Sequence, residues 1–186
     1  RPGWFFHPTE RAKTAEELFA IWLASVGRGA GLNLNIAPDR RGLIDERDVV
    51  ELARFRGLVE AFTAVDLASD ADMTASSTVA GDPQHLVSPS DDEVWVAADR
   101  TAEVVVDFGR TVGIGGVRVE EAIGFGQRVS GFAVDVLHHG WYEWYRGGTI
   151  GARRIVATDG AADRAVRIRV TDAQAPAVLS RVRVYA

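Results

Sequence analysis

The residues that could carry chemistry in this 186-residue chain are few: four histidines, two runs of adjacent acids and two glycine-rich stretches. The histidines are His7, His85, His138 and His139. Neighbours on a strand point to opposite faces, so His138 and His139 could not share a metal there, and in a turn they would be solvated. No metal site is expected. The runs Asp91-Asp92-Glu93 and Glu120-Glu121 fail as acid–base pairs for the same reason, and as surface runs they should be solvated. Gly113-Ile-Gly115-Gly116 and Gly124-Phe-Gly126 are followed by strand-like residues, whereas a phosphate cradle needs a helix to open at once. Nucleotide binding is therefore not expected. The chain has no cysteine, which excludes a thiol nucleophile and a zinc-thiolate site. No Gly-x-Ser-x-Gly turn occurs either.

The aromatic residues are more informative. Trp141, Tyr142, Trp144 and Tyr145 fall on one strand-like run. Strict alternation would put Trp141 and Tyr145 on one face and Tyr142 and Trp144 on the other. The outward face either packs beneath a loop or offers a flat platform suited to the C–H face of a sugar. Of the 21 basic residues only Lys13 is a lysine. The arginines look scattered along the chain and define no anion site.

Two kinds of element must position these residues. Thr14-Ala-Glu-Glu17 is a capping box, and Leu18, Ile21 and Trp22 repeat behind it at helical spacing. Gly27 and Gly29 stop that helix. Leu32-Asn-Leu-Asn-Ile36 alternates like a strand and Pro38 ends it. Asp45 caps a second helix whose apolar stripe is Val49, Leu52, Phe55, Val59 and Phe62. From Ala102 the pattern changes to short strands: 102–108 ending at Gly109, 114–121, 128–137, a hairpin through His138-His-Gly140 into Trp141–Tyr145, 153–158, 165–170 and 178–185. Seven strands with polar turns suggest an antiparallel sandwich. The stretch from Ala64 to Pro89 carries no period and marks the boundary, giving segments 1–63 and 64–186. One strand and two helices cannot close a sheet, so the first segment belongs to a larger α/β layer.

Composition supports an ordinary globular chain: 47% hydrophobic, 25% charged and a mean hydropathy of -0.01. No apolar run approaches the ~18 residues of a membrane span. The net charge is -5, with nine charges of each sign in residues 1–62, so the excess is carried by the remainder and no nucleic-acid partner is expected. The sole methionine is Met73, so Arg1 is no translation start and the chain reads as part of a longer protein.

The run Gly3-Trp-Phe-Phe-His-Pro8, the helix with Leu18-Phe-Ala-Ile-Trp22 and Ser25-Val-Gly-Arg28, and Leu32-Asn-Leu-Asn-Ile-Ala-Pro-Asp-Arg-Arg-Gly-Leu-Ile44 resemble the last part of the catalytic domain of α-L-fucosidases of glycoside hydrolase family 29. Gly31 and Asn33 depart from the family's usual Asn and Leu. Val94-Trp-Val-Ala-Ala-Asp99, Glu121-Ala-Ile-Gly-Phe-Gly-Gln-Arg-Val129, Gly148-Thr-Ile-Gly151 with Arg153-Arg-Ile155, and Val170-Thr-Asp-Ala173 resemble the galactose-binding-like, discoidin-type sandwich often fused behind it.

The fold class so implied is α/β plus all-β: a fragment of a (β/α)8-like barrel over 1–63, then a galactose-binding-like jelly roll over 64–186. The resemblance implies retaining hydrolysis of terminal α-L-fucose by an aspartate nucleophile and a glutamate acid/base, both upstream of Gly3. The chain alone would then hold no catalytic residue and hydrolyse nothing. Trp4 matches the aromatic lining the fucose pocket, with Phe6 and His7 beside it, and Asn35 matches a supporting strand residue. In the sandwich Trp141 and Arg128 are the carbohydrate-binding candidates. Glu121, Gln127 and Arg128 also match a family stretch, with a buried Glu–Arg pair as the structural reading. His85-Leu-Val-Ser-Pro-Ser90 departs from the Asp-Gly loop linked to calcium, which speaks against a metal. No cofactor is implied, the partner is a fucosylated glycan, and the family's members are exported.

Overall fold

A computed structural model describes residues 3–88, 90 and 93–186, with the side chains of Asp159 and Ala161 left aside. Helix α1 spans Ala15–Ser25. The capping box forms as its spacing demands: Thr14 Oγ1 accepts from Glu17 N at 3.2 Å and Thr14 N donates to Glu17 Oε2 at 2.8 Å. A single 3-10 turn over Val26–Arg28 follows, closed by Gly29 at φ 79°. Helix α2 spans Glu46–Thr63, with Asp45 accepting from Arg47 N. Ala15 N donates to Glu51 at 2.7 Å and Arg54 bridges Glu16 at 2.9 Å, which ties the helices together.

The predicted strand over Leu32–Ile36 does not form. Among the described residues this segment joins no ladder, and nearby only a Pro38–Ile44 bridge closes the following turn. Alternation sets which side chains share a face, but a strand exists only where another backbone lies about 4.8 Å away to accept its hydrogen bonds. The stripe of α2 is also only partly covered: none of its residues is fully buried and Val49 is 50% exposed.

The remainder is a wholly antiparallel seven-stranded network: β1 (Asp72–Ala75), β2 (Trp95–Val96), β3 (Ala102–Glu121), β4 (Val129–Leu137), β5 (Trp141–Gly147), β6 (Arg154–Ala173) and β7 (Val178–Tyr185). Its order is β2-β7-β3-β6-β4-β5, with β1 paired to β3. Seven strands were expected, but not this set. The stretches 102–108 and 114–121 are one strand that runs on past Gly109, and 153–158 and 165–170 likewise merge. Turn-like residues were read as ends, whereas the ladder continues through register shifts at Asp107/Val112 and Ile114/Gly116. Such irregularities bend a strand and increase its twist. The first part of β3 pairs with β1 and β6, the last part with β6 and β7. Val104 and Val106 from the one, and Val117 and Val119 from the other, meet in a single core with Trp95, Phe132 and Leu86. Strands β1 and β2 are too short to give a sequence period.

An aromatic cluster joins the helices to this β-structure. Phe62 lies 5.4 Å from Phe19, 6.3 Å from Trp22 and 5.2 Å from Tyr185, ring centre to ring centre. Gly116 makes the approach possible, because a Cβ there would stand 2.6 Å from Phe62 Cζ. Asp66 completes the seam by accepting from Val184 N at 3.1 Å and pairing with Arg183 at 3.0 Å. Among the described residues no helix is long and apolar enough to cross a membrane.

Candidate functional site

The segment 3–10 folds against the segment 34–38. Asn35 Nδ2 donates to the Trp4 carbonyl at 3.0 Å, and Glu10 N donates to the His7 carbonyl at 3.1 Å, so each side fixes the course of the aromatic run. Asn35, expected as a supporting strand residue, holds the Trp4 carbonyl from a segment that forms no strand. The two sides enclose an open cavity of about 610 Å³ lined by Trp4, Phe5, Phe6, His7, Glu10 and Asn35. A smaller cavity of about 270 Å³ shares Trp4 and Asn35 and continues toward Lys13, Asp48 and Glu51. Trp4 is 80% exposed and Phe5 81% exposed, while Phe6 is half-buried and His7 exposed. Trp4, Phe6 and His7 are therefore brought together. Phe5 joins them unforeseen, because in an extended run its neighbours' exposure cannot be read from spacing.

Chemically the segment presents a wall of aromatic faces. Two open aromatic faces can cover apolar C–H groups, and an imidazole and an amide offer hydrogen bonds beside them. Glu51 is committed to Ala15 N and Arg54.

Trp141 lies on the far side of the molecule's sequence and in a different setting. The residue is 38% exposed, and the Arg167 guanidinium carbon sits 4.5 Å from the ring centre. The expected sharing of a face by Trp141 and Tyr145 fails. Val134 pairs with Tyr145 but Asp135 with Glu143, so the register slips at Trp144 and both Trp144 and Tyr145 pack against the core. A bulge adds a residue and breaks the alternation on which the assignment rested. Beneath Trp141, Asp135 is 1% exposed and takes hydrogen bonds from Arg167 at 2.8 Å and Arg169 at 2.6 Å. Burial pushes its carboxyl up, but these two guanidinium partners outweigh burial and hold it below the ordinary aspartate range.

Arg128 is occupied in its loop: Nη1 donates to Pro176 O at 2.9 Å and Nε to Phe125 O at 3.3 Å. The buried Glu–Arg pair takes another form. Glu121, 3% exposed, accepts the backbone N–H groups of Arg128, Val129 and Gly151 at 2.7, 2.9 and 2.7 Å, and among the described residues no guanidinium. Glu120, 9% exposed, pairs with Arg118 at 2.6 Å and Arg153 at 2.7 Å. Neither acid is solvated as expected. A surface assignment from hydrophilicity overlooked partners such as Gly151 and Arg153, 30 and 33 residues along the chain. The arginines, scattered in sequence, are gathered by the ladder.

Asp91 and Asp92 lie outside the described residues. Among the described residues no group of three or more metal-ligating side chains occurs. His138 and His139 are exposed in the β4–β5 turn, where His138 Nδ1 lies 3.2 Å from Asp163 Oδ1. Gly113, Gly115 and Gly116 sit within β3 with strand on both sides.

No protein-family model matches the chain. Alpha-L-fucosidase 1 of Arabidopsis thaliana is 29% identical over 197 residues, covering all of this chain and 39% of that protein. Among solved structures, SpGH29 superposes with a TM-score of 0.94 at 31% identity, covering 100% of this chain and 42% of that one. A GH29 fucosidase of Ruminococcus gnavus in complex with fucose superposes with a TM-score of 0.88 at 28% identity, covering 99% of this chain and 39% of that one. The chain spans about two fifths of the length of these relatives.

Proposed function

We propose, from a chain that corresponds along its whole length to a C-terminal part of α-L-fucosidases of glycoside hydrolase family 29, that it supplies one wall of a fucose site together with the β-domain that braces it. The full-length correspondence carries this reading. In it, residues 1–63 are the closing part of a (β/α)8-like barrel and residues 64–186 a galactose-binding-like sandwich. The intact enzyme removes terminal α-L-fucose from glycoconjugates with retention. Its two carboxylates lie outside this chain, which is inactive alone.

The geometry at residues 3–10 supports the role. Trp4, anchored through its carbonyl by Asn35, offers an indole to the methyl group and C–H face of the sugar. Phe6 closes the apolar side, and His7 offers a ring nitrogen to a hydroxyl. The unpaired segment 32–36 and the exposed Val49 and Val50 of α2 fit elements that the missing neighbours of a barrel would cover.

The test is turnover of a chromogenic α-L-fucoside. The 186-residue chain should give none, and the same chain preceded by a family-29 barrel portion should be active. In that longer enzyme Trp4→Ala should lower kcat/KM by about 10- to 100-fold, the loss of roughly 1.4 to 3 kcal/mol of aromatic contact. Hydrolysis by the isolated chain would overturn the assignment of the carboxylates elsewhere.

A further inference from the structure

The turn between β4 and β5 carries two histidines whose side chains strand alternation would send to opposite faces. Strand β4 ends at Leu137 and β5 begins at Trp141, so His138 and His139 belong to the turn and escape that rule. Their ring centres stand 4.3 Å apart, with the planes at 64°. His138 N closes the turn by donating to Gly140 O at 3.3 Å. Ring nitrogens lie about 1.2 Å from the ring centre, so one from each imidazole can approach to about 3 Å, the spacing of two ligands that share an ion.

A buried carboxylate stands behind the pair. Asp163, on β6, is 5% exposed, and its register partner is Val112 of β3, itself part of the apolar core. Its Oδ1 lies 3.2 Å from His138 Nδ1, and among the described residues the carboxylate has no other hydrogen-bond partner. The next residue, Arg164, pairs with Asp107 instead. A carboxylate so deeply placed needs a donor, which puts the proton on His138 Nδ1. Nε2 then carries the lone pair on the side of the ring turned away from Asp163, and the His138 side chain is 65% exposed. Imidazoles that bind metals are held in this way, the second nitrogen donating to a carboxylate that fixes tautomer and orientation.

We propose that this turn binds a divalent transition-metal ion, with His138 Nε2 and one ring nitrogen of His139 as protein ligands and Asp163 as the positioning residue. Two imidazoles select Cu²⁺, Ni²⁺ and Zn²⁺ over Ca²⁺ and Mg²⁺, which require oxygen ligands. Asp163 meets that requirement poorly, because it lies behind His138 and not beside the ion. Water completes the shell, since among the described residues no third ligating side chain joins the pair. Affinity is accordingly modest, with a dissociation constant of roughly 1–100 µM for Cu²⁺ and weaker binding of Zn²⁺. The site lies wholly within the β-domain and does not depend on the fucosidase reading.

The experiment is a titration of the 186-residue chain, isotopically labelled and free of any histidine tag, with Zn²⁺, Ni²⁺ and Cu²⁺ separately and with Mg²⁺ as control. Zn²⁺ should shift the ring signals of His138 and His139 and leave those of His7 and His85 in place. Before metal is added, the ring nitrogens of His138 should report the tautomer protonated at Nδ1. His139→Ala, at an exposed turn, should weaken binding about tenfold or more. Asp163→Ala should release the tautomer and weaken binding about 10- to 100-fold. Should that variant fail to fold, His139→Ala and the wild-type tautomer still decide the question. Absence of saturable binding by ~1 mM of each transition metal, an equal response to Mg²⁺, shifts centred on His7 or His85, or indifference to His139→Ala would each overturn the proposal. A tautomer unchanged by Asp163→Ala would remove Asp163 from it.

Discussion

Two buried carboxylates show how differently single residues can be stabilised in this protein. Glu121 is satisfied by three backbone amides and so shapes the loop from Ala122 to Arg128. Asp135 is satisfied by two guanidinium groups and so fixes Arg167 beneath Trp141. Removing Glu121 strands its backbone donors at a cost of about 3 kcal/mol. Asp135→Asn leaves arginines that are partly exposed and, for Arg169, still paired with Glu143, and should cost about 1–2 kcal/mol. Urea unfolding of Glu121→Ala and Asp135→Asn reads both. The pH dependence of Asp135 has a definite sign. Its carboxyl is held below the unfolded value of about 3.9, so its contribution is complete above that value and is lost as pH falls through the lower folded one. Melting temperature should therefore hold from pH 7 to about 5 and decline below about 4, and Asp135→Asn should reduce that acid decline. An unchanged acid slope in the variant would remove Asp135 from the account.

At the scale of elements, what was legible from sequence is what closes within a few residues. The capping box needs only Thr14 and Glu17, and both helices occur where their caps and spacing place them. The β4–β5 hairpin was legible for the same reason. The bulge at Trp144 and the bends in β3 and β6 were not, because they are decided by the partner strand. The docking of α2 is also a long-range event, resting on Phe62 over Gly116. Gly116→Val should displace that ring and cost about 1–3 kcal/mol by overpacking. Near-ultraviolet circular dichroism should register a loosened aromatic cluster, and thermal unfolding a lower midpoint. A variant with the native spectrum and midpoint would show that the seam does not depend on this contact.

The whole molecule combines two unequal parts. The β-structure encloses a continuous apolar core, whereas α2 buries no residue fully and, beyond the Phe62 contact, carries exposed ion pairs such as Arg54–Glu16 to α1 and Arg56–Glu60 within itself. Exposed pairs contribute about 0–1 kcal/mol each, far less than a buried core. Native-state hydrogen exchange should consequently find α2 amides opening well before those of β3 and β6, and 0.5 M salt, roughly, should widen the gap. Equal protection in both parts would contradict this ranking. It also bears on function, because the aromatic wall at residues 3–10 rests on the less protected part.

By itself the sequence determined the helices and the antiparallel character of the second part. These follow from local bonding and from neighbours in the chain, which travel with the sequence. Only the tertiary structure decided that Leu32–Ile36 stays unpaired, that Glu120 is buried, that Glu121 holds backbone amides where an arginine was expected, and that Trp141 carries Arg167 on its face. Each of these depends on which distant backbone or side chain arrives alongside. Register is a relation between two strands and cannot be read from either one alone.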